Sequence, residues 1–211
     1  MEGALARYGL ALDNDQERYI YFFDTPQREL LKAGVIARAR RVVGGQHDST
    51  VKFRPVVPTS VSAEWANLTG FKLEADASET GVVRSASLTL PVAKGLIKRV
   101  AAGDESISAL FAKKQTKFLN AIGRQTIDFN KLTIIGPLEA HRWQFKDPAC
   151  PWPITAELWR RRDGAQLMEA SIRLPAIQAA FAIAGFMAFL AEAGADRDQE
   201  QQTKTRWAFG E

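Results

Sequence analysis

The stretch Val35-Ile36-Ala37-Arg38-Ala39-Arg40-Arg41-Val42-Val43, followed by Gly44-Gly45 and then Thr50-Val51-Lys52-Phe53-Arg54-Pro55, decides how this chain is read. Successive side chains of a strand point to opposite faces. Arg38 and Arg40 therefore share one face, with Ala37 and Ala39 on the other. Lys52 and Arg54 share a face in the same way, with Val51 and Phe53 opposite. The two glycines and the polar run 46–49 form the turn between the two segments, which is the signature of antiparallel pairing.

Working outward, residues 18–24 (RYIYFFD) read as a strand that stops at Thr25-Pro26. Residues 70–77 place Lys72, Glu74 and Asp76 on one face and Phe71, Leu73 and Ala75 on the other. Residues 82–90 read as a further strand. Residues 91–102 and 106–122 change to helical spacing, with Ile107, Leu110, Phe111 and Phe118 among the apolar positions. Strand character returns at 132–135 and 140–145, and Pro148, Pro151 and Pro153 mark a loop. Residues 154–161 and 166–174 flank Asp163-Gly164, a hairpin signal. In the first of these Glu157 and Arg161 share a face; in the second Glu169, Ser171 and Arg173 do. Pro175 opens a long apolar helix over 176–190, and the tail 196–205 is polar.

Five strands thus carry one apolar and one charged face. The plain expectation for such a strand is a half-buried sheet with its charges in water. Two features point elsewhere. Arg38, Arg40, Lys52 and Arg54 gather like charge on one sheet face, which is unfavourable unless an anion sits among them. The apolar helices also need a surface to cover, and the uncharged sheet face supplies it. A sheet that curls shut under that cover turns its charged face into a lumen. The fold class expected is α+β: an antiparallel β-barrel of about eight strands with helices packed outside. No repeat or linker divides the chain, so residues 1–211 are expected to form a single domain.

Composition narrows the function. The 211 residues carry 28 Lys and Arg against 24 Asp and Glu, a net charge of +4. That small excess, with carboxylates interspersed among the cations, argues against a nucleic-acid-binding barrel. One cysteine, Cys150, excludes an internal disulfide framework and suits the cytoplasm. Residues 1–10 show no signal peptide, and the apolar run at 176–190 is short for a membrane span. His47 and His141 lack a placed partner in the sequence, and no phosphate-loop, dinucleotide, nucleophile-elbow or zinc-protease motif is present. Guanidinium and ammonium groups interleaved with hard carboxylate oxygens suit a polyphosphate bridged to Mg or Mn.

The order and spacing of these pieces carry a resemblance. Tyr21-Phe22-Phe23-Asp24-Thr25-Pro26, Leu30-Leu31-Lys32-Ala33-Gly34, Ala37-Arg38-Ala39-Arg40, Thr50-Val51-Lys52-Phe53-Arg54 and Lys72-Leu73-Glu74-Ala75-Asp76 resemble the CYTH superfamily of triphosphate tunnel metalloenzymes. Ala156-Glu157-Leu158, Leu167-Met168-Glu169-Ala170-Ser171 and Lys204 fit its later strands and closing lysine. The resemblance runs from about Tyr19 to Lys204. It implies a closed eight-stranded antiparallel barrel and a metal-dependent hydrolase of inorganic or organic triphosphates, with adenylate cyclase as another activity of the family. Carried over, it assigns phosphates to Arg38, Arg40, Lys52, Arg54, Lys72, Arg142 and Lys204. It assigns metal, Mg or Mn, to Glu74, Asp76, Glu157 and Glu169, with Ser171 standing where many members have another carboxylate.

One departure is large. The family opens on an E-x-E-x-K strand whose glutamates bind metal, and residues 1–19 (MEGALARYGLALDNDQERY) contain no such motif. The alternative function is therefore a catalytically silent module that binds polyphosphate or nucleotide. A barrel without its first strand has open edges, which residues 2–10, a segment near Lys204 or a second copy of the chain would be expected to fill.

Overall fold

The computed structural model of the protein describes residues 10–11, 14–78, 81–123, 127–195 and 203–210. Among them lie eight strands: β1 (Gln16–Asp24), β2 (Val35–Val42), β3 (Asp48–Phe53), β4 (Phe71–Ser78), β5 (Gly81–Pro91), β6 (Thr133–Asp147), β7 (Cys150–Arg160) and β8 (Gln166–Ile172). Six α-helices accompany them: α1 (Glu29–Lys32), α2 (Ala63–Ala66), α3 (Leu96–Ala102), α4 (Lys113–Gly123), α5 (Ala179–Glu192) and α6 (Lys204–Phe209). The strands are antiparallel and hydrogen-bond in the order β4-β5-β3-β2-β1-β6-β7-β8. The α+β class and the eight antiparallel strands expected from the sequence are present.

Contacts divide the chain into two compact units, one of residues 19–76 and 81–137, the other of residues 1–18, 77–80 and 138–211. In the first, β3 lies between β2 and β5. Val35, Phe53 and Ala86 face one another across the three strands, as do Ala37, Val51 and Leu88. All six are buried in one cluster with Phe118 and Leu119 of α4. Phe118 meets the edges of Phe53, Trp65 and Phe71, with ring centroids 5.2–5.9 Å apart. Gln115 of α4 is fully buried here. Its Nε2 donates to Ser49 O (3.0 Å) and Leu88 O (3.2 Å), and its Oε1 accepts from Ser49 Oγ (3.1 Å) and Ala112 N (3.0 Å). The helix is thus clamped to the sheet by a satisfied polar group as well as by apolar burial.

The turn after β1 is built by Asp24, which is buried. Its carboxylate accepts from the backbone N–H groups of Thr25 (2.7 Å), Leu30 (2.9 Å) and Leu31 (3.0 Å), and Thr25 Oγ1 accepts from Glu29 N (3.1 Å). These acceptors satisfy donors at the start of α1 that have no partner within the helix. Gly34 follows with φ of +71°, and a Cβ there would meet Arg54 O at 2.7 Å. Only glycine lets the start of β2 approach Arg54 this closely; Arg54 N donates to Gly34 O at 2.8 Å.

In the other unit, β7 pairs with β6 and with β8. Leu10, Trp143, Ala156 and Leu158 form one buried cluster. Cys150 and Ile154 form another with Phe186 and Phe189 of α5. Trp143 Nε1 donates to Ala11 O (2.9 Å), and His141 lies between Asp15 and Glu139, 2.6 Å from each.

Several boundaries differ from the sequence reading. The segments 132–135 and 140–145 are one strand, β6, running through Gly136-Pro137. The proline-marked loop is shorter than expected, because β7 starts at Cys150 and includes Pro151 and Pro153. Pro91 closes β5 and does not open a helix; Gly95, at φ +84°, precedes α3. Lys204, read as part of a polar tail, begins α6, where Thr203 Oγ1 accepts from Arg206 N (3.3 Å). Arg161 lies just past β7 and pairs with Asp163 at 2.8 Å. Residues 2–9, expected as one filling of an open edge, lie outside the described residues.

Candidate functional site

The cationic face of the first unit follows from register. Arg38 stands opposite Thr50, Arg40 opposite Asp48, and Lys52 opposite both Ile36 and Ser87. Directly opposed residues point to the same side of a sheet, so these side chains lie on the face away from Phe118. Arg38, Arg40, Lys52, Arg54 and Glu74 are half-buried, while Lys72 is exposed. Arg40 grips Asp48 Oδ2 through Nε (2.9 Å) and Nη2 (2.6 Å). Arg38 Nη2 donates to Thr50 Oγ1 at 3.4 Å, and Thr50 Oγ1 meets Thr89 Oγ1 at 2.9 Å. Asp76 Oδ2 lies 3.2 Å from Arg54 Nη1 and 3.8 Å from Lys52 Nζ.

Burial pushes the Lys52 ammonium below the usual lysine range, and repulsion from Arg54 and Arg38 adds to it; Asp76 and Glu74 pull back only in part. The shift is an effect of burial, because the two carboxylates outweigh the two guanidiniums.

The second cluster lies on β6, β7 and β8. Arg142 stands opposite Glu157, and Glu157 opposite Glu169. Two glutamates face to face across adjacent strands repel, and a cation is needed between them. Lys204 supplies it. Its Nζ lies 2.5 Å from Glu157 Oε2 and 2.6 Å from Glu169 Oε1. Glu157 Oε1 is also 3.3 Å from Arg18 Nη1 and 3.8 Å from Arg142 Nε, and Trp159 Nε1 donates to Oε2 at 3.3 Å. Burial opposes the charge of Glu157, but Lys204 and then Arg18 outweigh it and hold the carboxyl below its usual range. Burial likewise opposes the charge of Lys204, and Glu169 and Glu157 outweigh it and hold the lysine above its usual range.

Three of the four carboxylates assigned to metal are already occupied by protein cations. Asp76 accepts two protein cations, and Glu157 accepts three. Glu169 shares its Oε1 with Lys204. Among the described residues no group of three or more His, Cys, Asp or Glu side chains gathers in a way that could hold a metal ion. The four carboxylates assigned to metal by resemblance divide two and two between the units: Glu74 and Asp76 in one, Glu157 and Glu169 in the other. The phosphate candidates divide likewise, Arg38, Arg40, Lys52, Arg54 and Lys72 in one and Arg142 and Lys204 in the other.

Sequence reasoning passed over Arg18, Thr50 and Thr89. Arg18 opens an aromatic strand whose bulk hid the charge; its side chain is buried and reaches Glu157 and Gln16. Alternation places Thr50 beside Lys52 and Arg38 and was the signal available. Asp24 belongs to the motif that carried the resemblance, and here it organises a turn.

No helix among the described residues is long and apolar enough to cross a membrane. The sequence matches no protein-family model and no curated protein. Solved structures do match in shape. A candidate adenylyl cyclase of Hippeastrum, described as having a dominant triphosphatase activity, superposes with a TM-score of 0.68 at 13% identity, over 100% of this chain and 91% of its own. A candidate adenylate cyclase of Bacillus halodurans gives 0.64 at 12% identity, over 98% of this chain and 91% of its own. The chain therefore shares the fold of these two structures.

Proposed function

We propose that this chain binds a triphosphate or polyphosphate small molecule on the cationic face of β2 and β3. The observation that carries the reading is register: Arg38 and Lys52 lie on one sheet face, Arg54 follows Lys52 in the chain, and Asp76 Oδ2 is 3.8 Å from Lys52 Nζ and 3.2 Å from Arg54 Nη1. A polyanion would find three cations on that face. Arg38 and Arg54 offer planar N–H donors to phosphate oxygens, and Lys52 offers a compact charge. Thr50 and Thr89 add hydroxyls beside Arg38. Arg40 is committed to Asp48 and orients the turn end of the hairpin. Lys72, exposed, contributes at most from the edge.

The Hippeastrum likeness favours a second reading, hydrolysis of the bound triphosphate. Asp76, Glu157 and Glu169, three of the four carboxylates that a metal-dependent hydrolase of this kind would use, are engaged by protein cations, so binding is the reading we prefer. Titration of the full chain with tripolyphosphate, ATP and thiamine triphosphate tests it. Saturable binding of all three, with little released phosphate in the presence of Mg or Mn, is the expected result. Rapid metal-dependent phosphate release would establish the hydrolase instead, and absence of binding would remove both readings.

A further inference from the structure

Glu157 and Glu169 stand directly opposite each other on neighbouring strands, an arrangement that repels unless a cation lies between them. A bridging divalent ion is one solution. In this chain the position is taken by a side chain, since Lys204 Nζ is within 2.6 Å of both carboxylates. Arg18 and Arg142 approach the remaining oxygen of Glu157. Among the described residues three cations thus face these two carboxylates, whereas a metal site needs net negative charge. Thr203 caps α6 and so fixes the helix whose first residue is Lys204.

We infer that Lys204 is a built-in counter-ion standing between Glu157 and Glu169 in place of a divalent metal, so that these two carboxylates hold neither Mg nor Mn. The inference does not rest on the function proposed above. The test uses the full chain and needs no turnover. Mn²⁺ is titrated into the metal-free protein and followed by calorimetry and by thermal unfolding.

The wild-type chain is expected to show no saturable Mn²⁺ site and no rise in Tm with Mn²⁺. Lys204→Met leaves the two glutamates facing each other, so its Tm is expected to fall by several degrees. Adding Glu169→Gln to that variant should restore much of the loss, because the repulsion is gone. If Lys204→Met does not fold, Glu169→Gln alone decides: it keeps Lys204 on Glu157 and should remain as unresponsive to Mn²⁺ as the wild type. One saturable Mn²⁺ site in the wild type, lost in Glu169→Gln, would overturn the inference.

Discussion

Replacing Lys52 by Met separates the site from the scaffold, because affinity and stability should move in different directions. Lys52 lies on β3 with 22% of its side chain exposed, 3.8 Å from Asp76 Oδ2. That separation is long for an ion pair, and burial disfavours its charge. The sign for folding follows. A lysine whose folded pKa is depressed opposes folding while it is charged, so at neutral pH its removal relieves the folded state. Methionine keeps most of the apolar stem and removes the ammonium. The Tm of Lys52→Met is therefore expected to equal or exceed that of the wild type.

Binding should respond the other way. A charge-assisted hydrogen bond to a phosphate contributes about 1.5–3 kcal/mol. Each 1.4 kcal/mol is tenfold in affinity, so the loss should lie between roughly 10- and 150-fold. Calorimetric titration with tripolyphosphate reads the affinity, and thermal unfolding of the same preparation reads the scaffold. Lys32→Met, an exposed lysine at the end of α1, is the control and should match the wild type. A fall in Tm with unchanged affinity would refute the reasoning, since it would make Lys52 structural.

Further expectations follow from the same geometry. Asp76→Asn removes the carboxylate shared by Lys52 and Arg54 and should tighten tripolyphosphate binding by a few-fold; weaker binding would show that Asp76 contributes to the ligand through something other than competition. Asp24→Ala strips the acceptor from three backbone N–H groups and should cost on the order of 3 kcal/mol in urea unfolding, since each buried donor left unpaired costs about 1–3 kcal/mol. Glu157 has a lowered pKa, so its stabilisation is present above the unfolded value near 4.3 and is lost as pH falls through the folded one; Lys204 has a raised pKa, so its stabilisation is present below about 10.4 and is lost as pH rises through the folded value. Tm against pH should drop at both ends, and Lys204→Met should flatten the alkaline drop. Triphosphate affinity should weaken as pH rises through the depressed pKa of Lys52, and Lys52→Arg, charged throughout, should hold its affinity to higher pH.

The strand alternation in residues 35–55 was enough to separate the core face from the charged one, because a period of two sorts Ala37, Ala39, Val51 and Phe53 from Arg38, Arg40 and Lys52 unambiguously. The same alternation set Glu157 and Glu169 on charged faces, yet it could not show them opposed, since register between strands depends on hairpin geometry and a one-residue slip changes every pair. Lys204 was visible only as the closing lysine of a motif. That it is the first residue of a short helix and lies between two glutamates depends on a tertiary contact across 47 residues, to Glu157. Pro151 and Pro153 misled because prolines usually end strands; here they stand near the start of β7. Arg40 was read with the phosphate ligands, but its cross-strand partner Asp48 sits in the polar turn sequence, where nothing in the spacing marks it as an ion-pair partner.

The most direct test of the central claim is a titration of the full chain with tripolyphosphate in EDTA, run beside orthophosphate. One saturable site for tripolyphosphate, at least tenfold tighter than for orthophosphate and weakened by Lys52→Met, is the expected result. Equal, weak binding of both anions, unchanged by Lys52→Met, would contradict the assignment of β2 and β3 as a triphosphate-binding face.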